Sequence, residues 1–316
     1  MEKSFRRFLI IALAIIATVV VCDFCLGKAM NWVMPQISNQ GDNGKTYFSL
    51  NEVDTPIVIV GSSRAAHHYV SSMISDSLGY ETYNVGRDGC FFSYNYCVIN
   101  SILDRYSPRL IIWENSMDCL YESSADPLEN LYPYYGVNPW VTECIDEDYS
   151  MAGRVSLISN MYKYNSILHR IVFRFIHKDT FVDRTKCGYD PLVPKVNQLI
   201  LSHSDRHETT VSQLKRNRLL LTLKRAQNLG VKIVIVDSPI YKELAPYSKS
   251  QLELRNICNE YNALLLNNTQ LEEFHKCPEY FNDQTHLNDY GAKEYTKVVI
   301  EQISAFQDNI LCKNYR

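Results

Sequence analysis

The sequence predicts an α/β protein: a three-layer domain around a five-stranded parallel sheet, behind one N-terminal transmembrane helix. Three observations lead there. Short β-branched runs alternate with longer segments of helical spacing, each run closes on small or polar residues, and the first 27 residues place basic side chains ahead of a long apolar stretch. At 316 residues, the chain suits one large core plus an appendage. Its 46% hydrophobic and 21% charged residues are ordinary for a folded protein, and a formal charge of -3 offers nucleic acid no electrostatic attraction.

Lys3, Arg6 and Arg7 precede the apolar run from Phe8 to Cys22, which resumes after Asp23 and reaches Leu26. At about 1.5 Å per residue this approaches the roughly 30 Å of a bilayer's hydrocarbon, with Asp23 at the outer edge. Three positive charges before the run, against Lys28 directly after it, place the N-terminus in the cytoplasm and the rest outside, in a bacterial periplasm or at the cell surface. No small-x-small cleavage site follows, so residues 1–27 read as an uncleaved anchor, with a removed signal peptide as the alternative. Lipidation of Cys22 fits less well, because Val19, Val20 and Val21 are bulky. Eight of the ten cysteines lie beyond the anchor and read equally as disulfide partners or buried thiols. Metal ligation is disfavoured, since the C-x-x-C pair Cys22 and Cys25 lies inside the apolar run and His67 and His68 are adjacent.

Residues 28–52 read as a linker or lightly packed entry segment. The domain then runs over 53–316. "TPIVIVG" is its first strand, followed by a helix over about 64–78, a short strand in "YETYNVG", a helix in "CFFSYNYCVINSILDRY" and a third strand in "SPRLIIWENS". An insertion at about 118–207, rich in Tyr, Asn, Asp and Pro, interrupts this rhythm and is expected over one rim of the sheet. A helix ending near Gly230, the strand "VKIVIVDSP", a helix, the strand "ALLLN" and a closing helix complete the pattern.

Ligands of open parallel sheets bind beyond the carboxyl ends of the strands. Ser62, Ser63 and Arg64 follow the first strand, Asn84, Gly86, Asp88 and Gly89 the second, Glu114 and Asn115 the third, Asp237 and Ser238 the fourth. The loop "YFNDQTHLNDYG" precedes the closing helix. There, Asp283 stands three residues ahead of His286, where a carboxylate can hold one imidazole nitrogen and leave the other as a base. Such a base activates a serine hydroxyl, and Gly61-Ser62-Ser63 at a strand-to-helix turn supplies one. The first amides of that helix, with a glycine such as Gly86, can donate to an oxyanion. The competing readings are structural: Ser63 as a helix cap, Asp283 as a cap and His286 as a loop residue, His67 and His68 as packing or surface groups, Arg64 and Arg87 as charges at the pocket mouth or solvated side chains. Tyr121, Tyr132, Tyr134, Tyr135 and Trp140 could stack on sugars or simply pack.

The segments "IVIVGSSRA", "YNVGRDG" and "DQTHLNDYGA", in that order, resemble blocks one, two and five of the SGNH or GDSL hydrolases. The resemblance covers about Ile57 to the closing helix without the insertion. It implies a flavodoxin-like sheet, Ser63 as nucleophile, Asp283 and His286 as the other triad members, and an oxyanion hole of Ser63, Gly86 and Asn115, with no metal or organic cofactor. Asn115 stands for a block-three residue in "ENSMD", where the family has Gly-x-Asn-Asp. Ser62 stands where the family usually has Asp, as in membrane-anchored members acting on surface glycans. The expected function is an anchored, extracytoplasmic serine esterase acting on acylated glycan or another ester. The alternatives are an O-acyltransferase working beside a membrane acyl-carrier protein, and a non-catalytic glycan-binding or assembly protein.

Overall fold

The computed structural model describes residues 2–115, 119–122, 126–178, 187–194, 199, 202–204, 210–244 and 248–313. The chain divides into two compact units, one of residues 1–47 and 129–182, the other of residues 48–128 and 183–316.

The second unit is built on strands β1 (Ile57–Val60), β2 (Thr82–Asn84), β3 (Leu110–Glu114), β5 (Lys232–Asp237) and β7 (Leu264–Asn267). Their order is β2-β1-β3-β5-β7, and every pairing is parallel. This is the doubly wound order in which the chain leaves β1 in both directions. A separate parallel pair joins β4 (Ser202–Ser204) to β6 (Lys242–Leu244). Parallel strands need crossovers on the faces, and helices cover both sides of this sheet. On one face, Ile57, Ile59, Ile112 and Val236 meet Ala65 and Tyr69 of or beside α3 (Ser63–His68), Ile74 of α4 (Ser71–Leu78), and Tyr295 and Val299 of α13 (Asp289–Lys313). The opposite face carries α5 (Phe92–Arg105) and α10 (Gln213–Asn228), joined by Asn100 Nδ2 donating to Thr222 Oγ1 at 2.9 Å. α11 (Lys249–Glu260) accompanies the edge strand β7, and α12 (Glu272–His275) precedes the last loop.

The single helix expected over 64–78 is two helices. Tyr69 and Val70 are extended between α3 and α4, and the freed Val70 N–H donates to Thr296 Oγ1 of α13 at 3.0 Å. The break turns the Tyr69 ring into the core and aims α3 along the sheet's carboxyl rim.

In the other unit, α1 (Glu2–Val33) is one continuous helix, long and apolar enough to cross a membrane. The entry segment is more ordered than its polar composition suggests: a 3-10 turn (Met34–Ile37) and α2 (Gly41–Asn51) follow directly. Buried Met30, Val33, Met34 and Ile37 explain this, since they pack with Tyr164, Ile167 and Ile171 in a small core. The same unit holds α6 (Pro139–Asp148), α7 (Met151–Ser156), α8 (Asn160–Tyr164) and α9 (Leu168–Ile176). The inserted tyrosines largely pack: Tyr132 contacts the rings of Tyr149 and Tyr162, and Tyr134 is buried. Every cysteine from Cys22 to Cys277 is a free thiol.

Candidate active site

β1 ends at Gly61, and the chain turns through Ser62 into α3. Ser62 is the N-cap residue without a side-chain cap bond, so Ser63 stands at the first helical position and its hydroxyl is spared from capping. Instead the Ser63 O–H donates to His286 Nε2 at 2.8 Å. His286 Nδ1–H donates in turn to Asp283 Oδ2 at 2.9 Å, which fixes the tautomer and leaves Nε2 as an acceptor. Ser63 and His286 lie 223 positions apart in the chain. The relay is open to solvent: the side chains of His286 and Asp283 are 24% and 49% exposed.

The loop that carries the pair is shaped by the same carboxylate. Asp283 Oδ1 accepts the N–H groups of Thr285 and His286 at 2.8 and 3.0 Å and the Thr285 hydroxyl at 2.9 Å. A Phe281–Leu287 bridge closes its base, and Asn288 Oδ1 accepts from the amides of Tyr290 and Gly291 to start α13. Burial would raise the Asp283 carboxyl, but hydrogen bonds from His286 and Thr285 outweigh it and hold the group well below the usual carboxylate range. The same hydrogen bonds favour the anionic form of Asp283.

Beneath the relay lies a buried polar network. Leu287 N–H donates to His68 Nε2 at 3.0 Å, His68 Nδ1–H donates to Ser238 Oγ at 2.8 Å, and Ser238 O–H donates to Glu114 Oε1 at 2.9 Å. Glu114 also accepts from the Tyr69 hydroxyl and pairs with Arg64 at 3.1 Å. Each proton has one consistent direction. Burial, reinforced by the Arg64 charge, pushes His68 well below the ordinary imidazole range, so it sits neutral, as this pattern requires. Burial raises the Glu114 carboxyl, partly offset by Arg64 and by the Tyr69 and Ser238 hydroxyls. His67 is fixed separately: Nδ1 donates to the Asp190 carbonyl at 2.6 Å and Nε2 lies 3.1 Å from Asp88 Oδ1, with its ring edge-on to His286 at 5.9 Å. Burial would lower His67, but Asp88 and the Asp190 carbonyl together raise it.

Several sequence-based expectations change here. Arg64 is 7% and Arg87 3% exposed, so neither is a charge at a pocket mouth: Arg64 is consumed by Glu114 and by the Asn115 carbonyl, and Arg87 lies against Cys90 and the Tyr94 ring. Asn115, expected in an oxyanion hole, is 2% exposed and donates its amide to Asp237 Oδ1 at 3.2 Å. The rest of its expected motif, residues 116–118, lies outside the described residues. Gly86, expected as a second oxyanion donor, gives its N–H to Asn84 Oδ1 at 2.9 Å. Its lack of a side chain serves packing, because a Cβ there would lie 2.6 Å from the Ala66 backbone nitrogen of α3. Of the three expected donors, the Ser63 N–H remains, at a helix start where an amide has no intrahelical acceptor. The network residues His68, Glu114 and Ser238 were placeable at the rim from the strand ends, but their pairing depends on the break after α3, which carries no sequence signal.

A cavity of about 530 Å³ lies apart from the relay, beside β7 and α11, lined by Asp237, Leu254, Cys258 and Asn267 among others. Among the described residues no cluster of three or more His, Cys, Asp or Glu side chains is arranged to hold a metal. No family model matches the chain, and no curated protein shows significant similarity to it.

Proposed function

We propose that the chain is an SGNH-like serine esterase held at a membrane by α1, with Ser63 as nucleophile, His286 as general base and acid, and Asp283 as the group that orients His286. One observation carries this reading: the Ser63, His286 and Asp283 side chains form a continuous hydrogen-bonded series, in the order acyl transfer needs, at the carboxyl rim of a parallel sheet.

In this mechanism the Ser63 oxygen attacks an ester carbonyl while His286 Nε2 takes the hydroxyl proton. The C–O bond to the leaving alcohol then breaks, and His286 returns the proton to that alcohol. Water, attacking the acyl-serine with His286 again accepting a proton, releases the acid and restores Ser63. The developing oxyanion would meet the Ser63 N–H first. A donor such as Gly86 could join only by releasing Asn84, and each missing donor costs about 10²–10³ in rate. The enzyme should therefore be slow on simple esters until substrate reshapes the rim. A sugar hydroxyl in place of water would make the same machinery an O-acyltransferase. The engaged amides of Gly86 and Asn115 favour a second reading, a glycan-binding or assembly protein that retains the relay without turnover.

A fluorophosphonate probe on the full chain in detergent separates the two. Esterase or transferase chemistry predicts an adduct at Ser63 that Ser63→Ala abolishes. A folded chain without adduct would support the binding protein. Hydrolysis of p-nitrophenyl acetate, with and without an oligosaccharide acceptor, then assigns water or sugar as the acyl acceptor.

A further inference from the structure

The unit containing α1 exposes an apolar surface of its own. Met151 and Val155 of α7 and Ile158 in the turn after it follow one another at spacings of four and three, and are 69%, 56% and 75% exposed. On α9, Val172, Phe173 and Ile176 share the outward face while Ile171 faces the small core. In the sheet unit, exposed apolar side chains such as Leu221, Leu252 and Tyr290 occur singly on three different helices. Clustered exposed apolar side chains of this kind call for an apolar neighbour.

Its position on α1 identifies that neighbour. Asp23, in the membrane helix at the end of its apolar run, accepts from the Ser159 hydroxyl at 2.6 Å and from the N–H groups of Asn160 and Met161 at 3.0 and 2.8 Å, so it caps α8. One turn further, Gly27 leaves room for Asn160, whose amide would lie 2.6 Å from a Cβ at that position. Ile158 is thus held beside the point where α1 leaves the hydrocarbon. Higher up, Trp32 packs edge-on against Phe175 of α9 at 5.4 Å, and Lys178 donates to Gln36 at 3.3 Å. From Asp23 to Trp32 the helix climbs about 14 Å, a span comparable to the polar layer of a bilayer and its boundary with the acyl chains. Arg170 is exposed on α9, whereas Arg174, one turn on, lies against Gly41, where a Cβ would sit 2.8 Å from its Nη2, so Arg170 is the basic side chain that flanks the apolar face as on helices that lie in a membrane surface.

We infer that residues 151–176 form a lipid-embedded collar around α1, with Ile158 and its neighbours among acyl chains and Arg170 at phospholipid phosphates. The inference rests on α1 as a membrane anchor. It is tested with p-benzoylphenylalanine placed singly at Ile16, Ile158 or Phe173 of the full chain, reconstituted in phosphatidylcholine or phosphatidylglycerol vesicles and photolysed, with lipid adducts read by mass spectrometry. Adducts are expected at all three positions, with a greater yield at 173 in phosphatidylglycerol that Arg170→Glu removes. Adducts at 16 alone would overturn the collar and leave the anchor standing, and crosslinks from 158 and 173 to another protein would point to a protein partner instead. Absence of adduct at 16 as well would overturn both. A yield at 173 indifferent to charge reversal would overturn the assignment of Arg170 to phosphate.

Discussion

In the proposed mechanism Ser63, His286 and Asp283 would divide the work by chemistry: an alcohol that needs a base, an imidazole that needs a fixed tautomer, and an anion that supplies it. Asp283 does this while also folding its own loop, because one oxygen takes two backbone N–H groups and the other faces the ring. Asp283→Asn keeps an acceptor for those amides but can present an N–H to His286, so the ring is no longer held in the productive tautomer. Turnover of an activated ester should fall about 10⁴-fold with little change in fold, measured by kcat beside circular dichroism. His67 offers a test by pH. Its protonated form is favoured in the folded chain, so its contribution is complete below its unfolded pKa and disappears as pH rises through the raised folded value. Asp88→Asn removes the main partner. The gap in melting temperature between the two chains should be widest near pH 6 and close in alkaline buffer; because Asp88 is 59% exposed, salt should narrow it throughout.

At the scale of elements, the short α3 and the loop before α13 are tied together by His68, which takes the Leu287 N–H, the amide next to His286. His68→Phe fills much of the space but leaves that buried donor, and Ser238, without their partner. A loss of about 1–3 kcal/mol in denaturant unfolding is expected, together with a lower kcat as the loop loosens. The five sheet strands and the order of their helices were legible in the sequence, since β-branched runs such as Ile57–Val60 and Ile233–Val236 have no other use at that length. Less was legible where tertiary packing overrides pattern. Residues 28–52 look polar enough for a linker, yet four apolar side chains between Met30 and Ile37 find a core supplied by residues more than a hundred positions away. The stretch 64–78 has helical spacing throughout and breaks only because Val70 finds a hydroxyl on α13. For the site, Asp-x-x-His was readable because it is local. The fates of Asn115 and Arg64 were not, because each is decided by a partner on another strand, while Gly86 turns its N–H back onto Asn84 two residues earlier, a local turn that its sequence does not announce.

As a whole molecule, the chain combines a unit built on one long apolar helix with a unit built on the parallel sheet and its buried core. Cys90, Cys97 and Cys258 are buried as free thiols among that core, and burial pushes the Cys258 thiol up to about 12. Such groups react slowly. Thermal unfolding of the full chain should be the same with and without a reductant, and non-reducing gels should show a single unlinked band; a reductant-sensitive melting point would mean that pairs form which the described residues do not show.

The salt-linked knot of Arg64, Glu114 and Tyr69 begins at the residue directly after Ser63. A side chain pinned so near leaves the Ser63 oxygen, the attacking atom in the proposed mechanism, little freedom to wander. New substrates would then have to be accommodated by altering what surrounds that oxygen, while the oxygen itself keeps its address.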